Sequence, residues 1–486
     1  MRQLTAKFLQ LFVVAGLAVL SNAHANPSQL PELGSESSII MTPAQERRLG
    51  KAFLRSVKAR EQMHNEPFIR EYVETLGKTL ASSADNPNNK SFNFFILDNP
   101  LINAFAGPDG HIGIYSGLIL TSQTESELAA VVAHEIAHVT QNHLMRAFHQ
   151  ASELSLPSAA VLLAAVVIGA TVGGDAALAT AMGGQAALIQ SQINFTRSNE
   201  KEADRIGIQT LFDSEFEPHA MPVFFERMGR ANQTYSSEIP EFLRTHPVTT
   251  NRIADSMARA EQHPYRQHQD SIGYALVKAY LKQQQFANGK ESLTYFQTNL
   301  NEGRYRNKQA QQFGLFLAQI RLHQLDEAKQ TIDELLKENP LQPVYLLYKA
   351  RLLDKLKQRK QAIQLLEDSL LILPGNYPIS MQLAELYNTN GQHEAAIALL
   401  KNQLEYRPED DQIYKIIARA YGDNKDKLQA HSYQADFLYL TGQLEPAIQQ
   451  LEIALMQPGA DFYTSSKLEA RLASLKAELE QIKESQ

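Results

Sequence analysis

The chain has 486 residues, 44% of them hydrophobic and 20% charged, with a net charge of −7 and no cysteine. These values describe a globular protein too long for one core, so two or three domains are expected. No basic stripe is present, which argues against nucleic-acid binding, and without cysteine there are no disulfides.

The first 25 residues have the pattern of a secretory signal peptide. Arg2 and Lys7 precede an apolar run over residues 8–20, and Ala23-His24-Ala25 supplies a small-x-small cleavage site. Export with cleavage before Asn26 is expected; the run is short for a membrane span, which takes about 20 residues. Residues 26–41, polar with two prolines, are expected to form a flexible leader. Thr42-Pro43 then opens a helix running to about Arg60, and residues 66–82 give a second.

Residues 91–97 are rich in strand formers, and residues 104–106 and 111–115 flank Gly107-Pro108-Asp109-Gly110 as a hairpin. The second hairpin strand, His111, Ile112, Gly113, Ile114 and Tyr115, is expected to offer an open edge to a substrate backbone. The plainer reading is a sheet that packs the next helix.

That next helix holds the chemistry. Residues 131–144 read VVAHEIAHVTQNHL and contain His134-Glu135-Ile136-Ala137-His138. On a helix His134 and His138 are one turn apart on one face, the spacing for binding one Zn²⁺. Glu135 beside them suits a general base that takes a proton from the attacking water. Ser122 with Glu125, or Thr124 with Glu127, fits a capping box. Leu128, Val131, Val132, Ile136 and Val139 spread over most faces, so the helix is expected to be buried. A core helix with hydrogen-bonded histidines would also be buried, but it needs three polar residues at ligand spacing by accident.

Residues 154–174 carry no charge, but their apolar centre, 159–172, is short for a span; residues 176–196 follow with Met182-Gly183-Gly184. The pair is read as plain buried helices or as a lid with glycine hinges over the active site, with peripheral membrane contact as a further reading. A third metal ligand must come from elsewhere in the chain. His143 lies five residues after His138 and is expected to point away from the metal face. Ser198-Asn199-Glu200-Lys201-Glu202-Ala203-Asp204 begins another helix, where Glu200 and Asp204 share a face. Glu200 is the candidate ligand, and Asp204 the residue that would hold a ligand histidine by its free N–H. Glu202 competes by residue type but faces elsewhere. In Thr245-His246-Pro247, His246 is a surface histidine before a turn or an active-site residue. In the second case it would stabilise the transition state or fill the fourth metal position and keep water out.

The second half is repetitive. Pro340, Pro374 and Pro408 are 34 apart, as are Ala328, Ala362 and Ala396. This is the tetratricopeptide period, a stacked helix–turn–helix unit. Ala447 and Pro458 come 51 and 50 later, so about half a repeat is inserted near residues 424–433. Residues 272–302 form a weaker repeat, and residues 465–484 an amphipathic capping helix.

HEIAH, NEKEAD and THPVTTNRI together resemble the HtpX-like gluzincin metallopeptidases, over roughly residues 42–260. The resemblance implies His134, His138 and Glu200 as ligands of one Zn²⁺ per chain and Glu135 as catalytic base; His246 would be a fourth ligand covering the metal at rest. The membrane spans of the family's better-known members are missing here. A signal peptide and C-terminal repeats replace them, which resembles the family's exported branch in the Gram-negative periplasm. That branch implies promotion of outer-membrane β-barrel assembly, notably of the lipopolysaccharide-transport barrel. It also implies degradation of misassembled barrels and contact with the barrel-assembly machinery through the repeats. The expected fold is an α+β zincin-like metallopeptidase domain, mostly helical with a small sheet (42–262), and then an all-α tetratricopeptide-repeat solenoid (263–486). The rival reading is a non-catalytic periplasmic chaperone or scaffold whose zinc is structural; an intact Glu135 argues against it.

Overall fold

The computed structural model describes residues 42–87, 89–149, 163, 197–234 and 241–484. The expected signal peptide, the leader and, apart from the buried Leu163, the lid stretch 154–196 lie outside the described residues. No helix among the described residues is long and apolar enough to cross a membrane.

Helices α1 (Pro43–Arg60) and α2 (Pro67–Ser83) both start on a proline, tolerated there because the first-turn N–H has no intrahelical acceptor. Strands β1 (Asn93–Leu97), β2 (Ala104–Ala106) and β3 (His111–Tyr115) form one sheet in the order β1-β3-β2. The β2–β3 hairpin turns through Asp109 (φ 57°) and Gly110 (φ 72°). A Cβ at Gly110 would sit 1.9 Å from the Ser91 carbonyl oxygen, so both backbone sign and space require glycine.

This topology corrects one expectation. Strand β3, His111 to Tyr115, is the central strand: β1 pairs with it in parallel and β2 antiparallel. Both its hydrogen-bonding edges are used and all five residues are buried, so it offers no edge to a substrate. The outer strand on the hairpin side is β2. Tyr115 N–H donates to Asn103 O and Gly107 N–H to His111 O, so odd-numbered β2 residues face β3 and Ala104 and Ala106 face outward.

Helices α3 (Ser116–Thr121), α4 (Glu125–Thr140), α5 (His143–His149), α6 (Arg197–Asp213), α7 (Ala220–Thr234), α8 (Glu241–Thr245) and α9 (Thr250–Ala260) complete the first half. All 16 residues of α4 are buried. Its cap is Thr124, whose Oγ1 accepts from Glu127 N–H at 3.2 Å, while Glu127 Oε2 accepts from Gln123 N–H at 2.6 Å.

The second half is a run of antiparallel helices: α10 (Ile272–Gln284), α11 (Gly289–Asn301), α12 (Lys308–Arg321), α13 (Leu325–Glu338), α14 (Pro343–Lys355), α15 (Arg359–Ile372), α16 (Tyr377–Thr389), α17 (His393–Tyr406), α18 (Asp411–Asp423), α19 (Lys427–Leu440), α20 (Leu444–Leu455) and α21 (Phe462–Glu484). Their tight turns show the period directly: His323, Lys357, Gly391 and Lys425 all have positive φ and are 34 apart. The next such residue is Gly442, only 17 later. The inserted half-repeat is therefore one whole helix, α19, which packs on α18 before it and α20 after it.

The two halves share one hydrophobic core. Phe68 of α2 meets Tyr280 of α10, Phe313 of α12 and Tyr348 of α14 edge-on at centroid distances of 5.5, 6.3 and 6.0 Å. Ion pairs ring this contact. The turn before α18 and the first residue of that helix present Glu409, Asp410 and Asp411 to Lys51 (2.8 Å), Arg70 (3.1 Å) and Lys58 (2.7 Å). Lys58 and Asp411 are both 6% exposed. Burial alone would raise the Asp411 carboxyl, but Lys58 and Arg70 outweigh it and hold the group at about 2.

Removing one partner of a buried pair leaves an unanswered charge, so Asp411→Asn is expected to cost about 3 kcal/mol in urea unfolding near neutral pH. A depressed carboxyl stabilises fully above its unfolded pKa, roughly 4, and loses that contribution as pH falls through its folded value. The gap between wild type and Asp411→Asn should therefore close as pH falls from about 4 towards 2. A cost below about 1 kcal/mol, or a gap that stays constant over that range, contradicts this role.

Candidate metal centre

Helix α4 brings His134, Glu135 and His138 to the centre of the first half, and α6 lies across it. The approach is close because residue 207 of α6 is glycine. A Cβ there would be 2.8 Å from Met221 Cε and 3.2 Å from the His134 backbone N. Asp204 and Glu200, about one and two turns N-terminal to Gly207, are thereby set against the two histidines. His246, at the end of α8, completes the group: its N–H donates to Phe242 O at 2.7 Å, and its ring stacks on Phe242 at 5.1 Å.

His134, His138, Glu200 and His246 each offer a ligand atom within 4.8 Å of the others, and all four are buried. His134 Nε2 is 2.9 Å from His138 Nε2 and 3.3 Å from His246 Nδ1. The Glu200 carboxylate oxygens are 3.6 Å from His134 Nε2, 3.4 Å from His138 Nε2 and 3.2 Å from His246 Nδ1. Ligands on a tetrahedral zinc at about 2.0–2.1 Å are separated by roughly 3.3–3.4 Å, the edge of that tetrahedron. Three imidazole nitrogens and a carboxylate converging at these separations fit a divalent cation, and His₂Glu with a fourth imidazole suits Zn²⁺.

The electrostatics agree. Burial lowers the His134 imidazole, but the Asp204 and Glu200 carboxylates outweigh it and lift the group to about 9, so the local field favours positive charge. Burial and the neighbouring His134 charge push His138 well below its usual range, keeping it in the neutral, ligating form. Burial would raise Glu200, but His246 and His134 hold it well below the carboxylate range. Glu135 is raised, chiefly by burial, with His246 and His134 pulling the other way. A carboxylate lifted in this way is a better proton acceptor near neutral pH.

Each ligand is braced from behind. Asp204 Oδ1 lies 3.0 Å from His134 Nδ1. Arg252 of α9, 4% exposed, donates to both Asp204 oxygens (2.7 and 2.8 Å) and lies 2.7 Å from Glu200 Oε2. On the other side His143 Nδ1 is 2.8 Å from His138 Nδ1, and its Nε2 is 3.1 Å from Glu202 Oε2. His246 Nε2 faces Glu135 Oε1 at 3.4 Å, so this ring stands between the ligand set and the carboxylate read as base.

One of these placements differs from the sequence reading. His143 does not point away, because α4 stops at Thr140. The chain turns through Asn142 at φ 53°, and His143 opens α5 with its ring against His138. Glu202 does face away from the metal, but it anchors His143. Arg252 carried no assigned role, although it lies in the quoted THPVTTNRI stretch; a buried arginine requires carboxylate partners, and Glu200 and Asp204 were already in hand.

Peptidase family M48 matches residues 69–260 and a tetratricopeptide repeat matches residues 355–420. A beta-barrel assembly-enhancing protease of Escherichia coli (strain K12) is 32% identical over 455 residues, 93% of this chain and 92% of that one. Its Yersinia pestis namesake is 30% identical, covering 92% and 91% of the two chains. A mitochondrial metalloendopeptidase OMA1 of Bos taurus is 31% identical over 183 residues, 36% of this chain and 34% of that one.

Asp204→Asn keeps the size of the side chain but removes the charge that orients His134. Metal affinity, read by chelator competition, should fall by about 10–100-fold. Unchanged affinity contradicts the bracing role.

Proposed function

The chain belongs to the family of the beta-barrel assembly-enhancing proteases, periplasmic zinc metalloendopeptidases that promote β-barrel assembly, and from that premise we propose how its residues divide the work. One Zn²⁺ per chain is held by His134, His138 and Glu200. When bound it polarises the scissile carbonyl and activates the attacking water. Glu135 takes the proton from that water and passes it to the leaving amine. Asp204, with Arg252 behind it, keeps His134 Nε2 aimed at the metal. The outward edge of β2, Ala104 and Ala106, receives the substrate backbone in place of β3. Ala106 lies next to the base, its backbone N–H facing the Glu135 carboxyl.

The observation that carries the reading is the double contact of His246, with Nδ1 among the ligand atoms and Nε2 against Glu135. A ring so placed fills the fourth position and keeps water from the base. His246 is thus the resting cover, and the protease is latent until residues 245–247 withdraw. The peptidase portion spans residues 42–262 and the repeat portion residues 263–486. A signal peptide cleaved before Asn26 exports the chain. The repeats bring it to the barrel-assembly machinery, and its clients, the lipopolysaccharide-transport barrel among them, are matured or, when misassembled, degraded.

The test is zinc content and casein cleavage measured side by side. Glu135→Gln should retain zinc and lose at least 1000-fold in cleavage, by loss of the base and its charge (roughly 4 kcal/mol). Undiminished cleavage by pure, metal-loaded Glu135→Gln refutes the base assignment. His246→Ala should retain zinc and cleave severalfold faster than wild type. Loss of cleavage with normal zinc would instead make His246 a transition-state donor.

A further inference from the structure

A cavity of about 660 Å³, lined by none of the four metal-centre residues, opens where α10, α11 and the start of α12 meet the segment leading into α4. Three cations line it, Lys278, Lys282 and Arg306, and none of them forms an ion pair among the described residues. Lys278 donates to the Ser122 carbonyl and lies 3.3 Å from Tyr274 Oη; Arg306 donates to the Gln123 carbonyl at 2.5 Å. Lys282 reaches the Gln285 carboxamide at 3.2 Å and sits 5.5 Å over the Tyr295 ring. Their hydrogen-bond partners are therefore neutral oxygens. The carboxylate lining the cavity, Asp270, accepts from the Glu125 N–H at 2.8 Å. Burial and the Arg306 charge together lower Lys278 to about 8, the mark of a cation held without sufficient counter-charge.

The rest of the wall is aromatic and amide. Tyr295 and Tyr305 are each 37% exposed, large rings that face solvent at this site, and the Gln269 and Gln311 carboxamides lie among the lining groups. Three cations answer a compact anion, rings take a flat or apolar side chain, and carboxamides pair with peptide groups. The volume holds about two residues of peptide and is far larger than a lone phosphate requires. We propose that this cavity is a binding site for the carboxyl-terminal end of a polypeptide, with Lys278, Lys282 and Arg306 receiving the terminal carboxylate and Tyr295 and Tyr305 the last side chain. The site is separate from the zinc chemistry. It abuts Ser122 and Gln123, the residues just before the cap of α4, so an occupant would draw its cations from the carbonyls that lead into the HExxH helix.

The test is fluorescence-anisotropy binding of one eight-residue peptide ending in phenylalanine, as the free acid and as the C-terminal amide. The full zinc-loaded chain carries Glu135→Gln so that the peptide survives. The free acid should bind at least 10-fold more tightly than the amide. Lys282→Gln with Arg306→Gln, both at accessible positions and checked for native circular dichroism, should erase that difference; Lys278→Gln should do the same. Equal binding of acid and amide, or a preference that survives these substitutions, overturns the proposal. So does saturable binding of inorganic phosphate at the three cations with no binding of either peptide, which would make this a phosphate site.

Discussion

A helix buried on every face cannot carry two imidazoles and a carboxylate at its centre unless each is answered by a group of opposite character. That constraint organises the first half of the molecule. Glu200 and Asp204 arrive on one helix, admitted by the missing side chain at Gly207. Arg252 arrives on another to balance the two carboxylates. His143 and Glu202 close the far side, and His246 closes the top. Every one of these groups would be costly to bury alone; together with a divalent cation they satisfy one another.

The same economy links the halves. Phe68 inserts into the first repeats, so the peptidase core and the start of the solenoid are one hydrophobic body and not two domains joined by a tether. The acidic turn Glu409-Asp410-Asp411 then fixes a later repeat against α1 and α2, through Lys51, Arg70 and Lys58. Arg351–Glu66 and Arg407–Glu74 add to the seam. The solenoid therefore keeps a defined position relative to the candidate metal centre and cannot rotate freely over it.

Much of this was legible in the chain. The HExxH spacing, the shared face of Glu200 and Asp204, and the 34-residue interval each rest on helix geometry, which sequence spacing encodes directly. What was not legible depends on chain reversals and non-local order. Val131–Leu144 read as one helix because nothing but Asn142 marks its break, and a break at that point swings His143 from the back of the helix onto His138. Strand order could not be read, because hydrophobicity alternates identically on a central and an edge strand. The half-repeat was visible as a shifted interval. Its identity as a complete helix was not, since three of the four recurring left-handed turn residues are His323, Lys357 and Lys425 and not glycine.

The proposed centre is a metal held by three imidazoles and one carboxylate, with His246 as the removable ligand. X-ray absorption at the zinc K-edge of the loaded full-length chain counts imidazoles through their multiple-scattering pattern and tests this most directly. Three imidazoles in the wild type and two in His246→Ala, with zinc retained in both, is the predicted result. Two imidazoles in both proteins would contradict it, leaving His246 outside the coordination sphere and the resting cover without a basis.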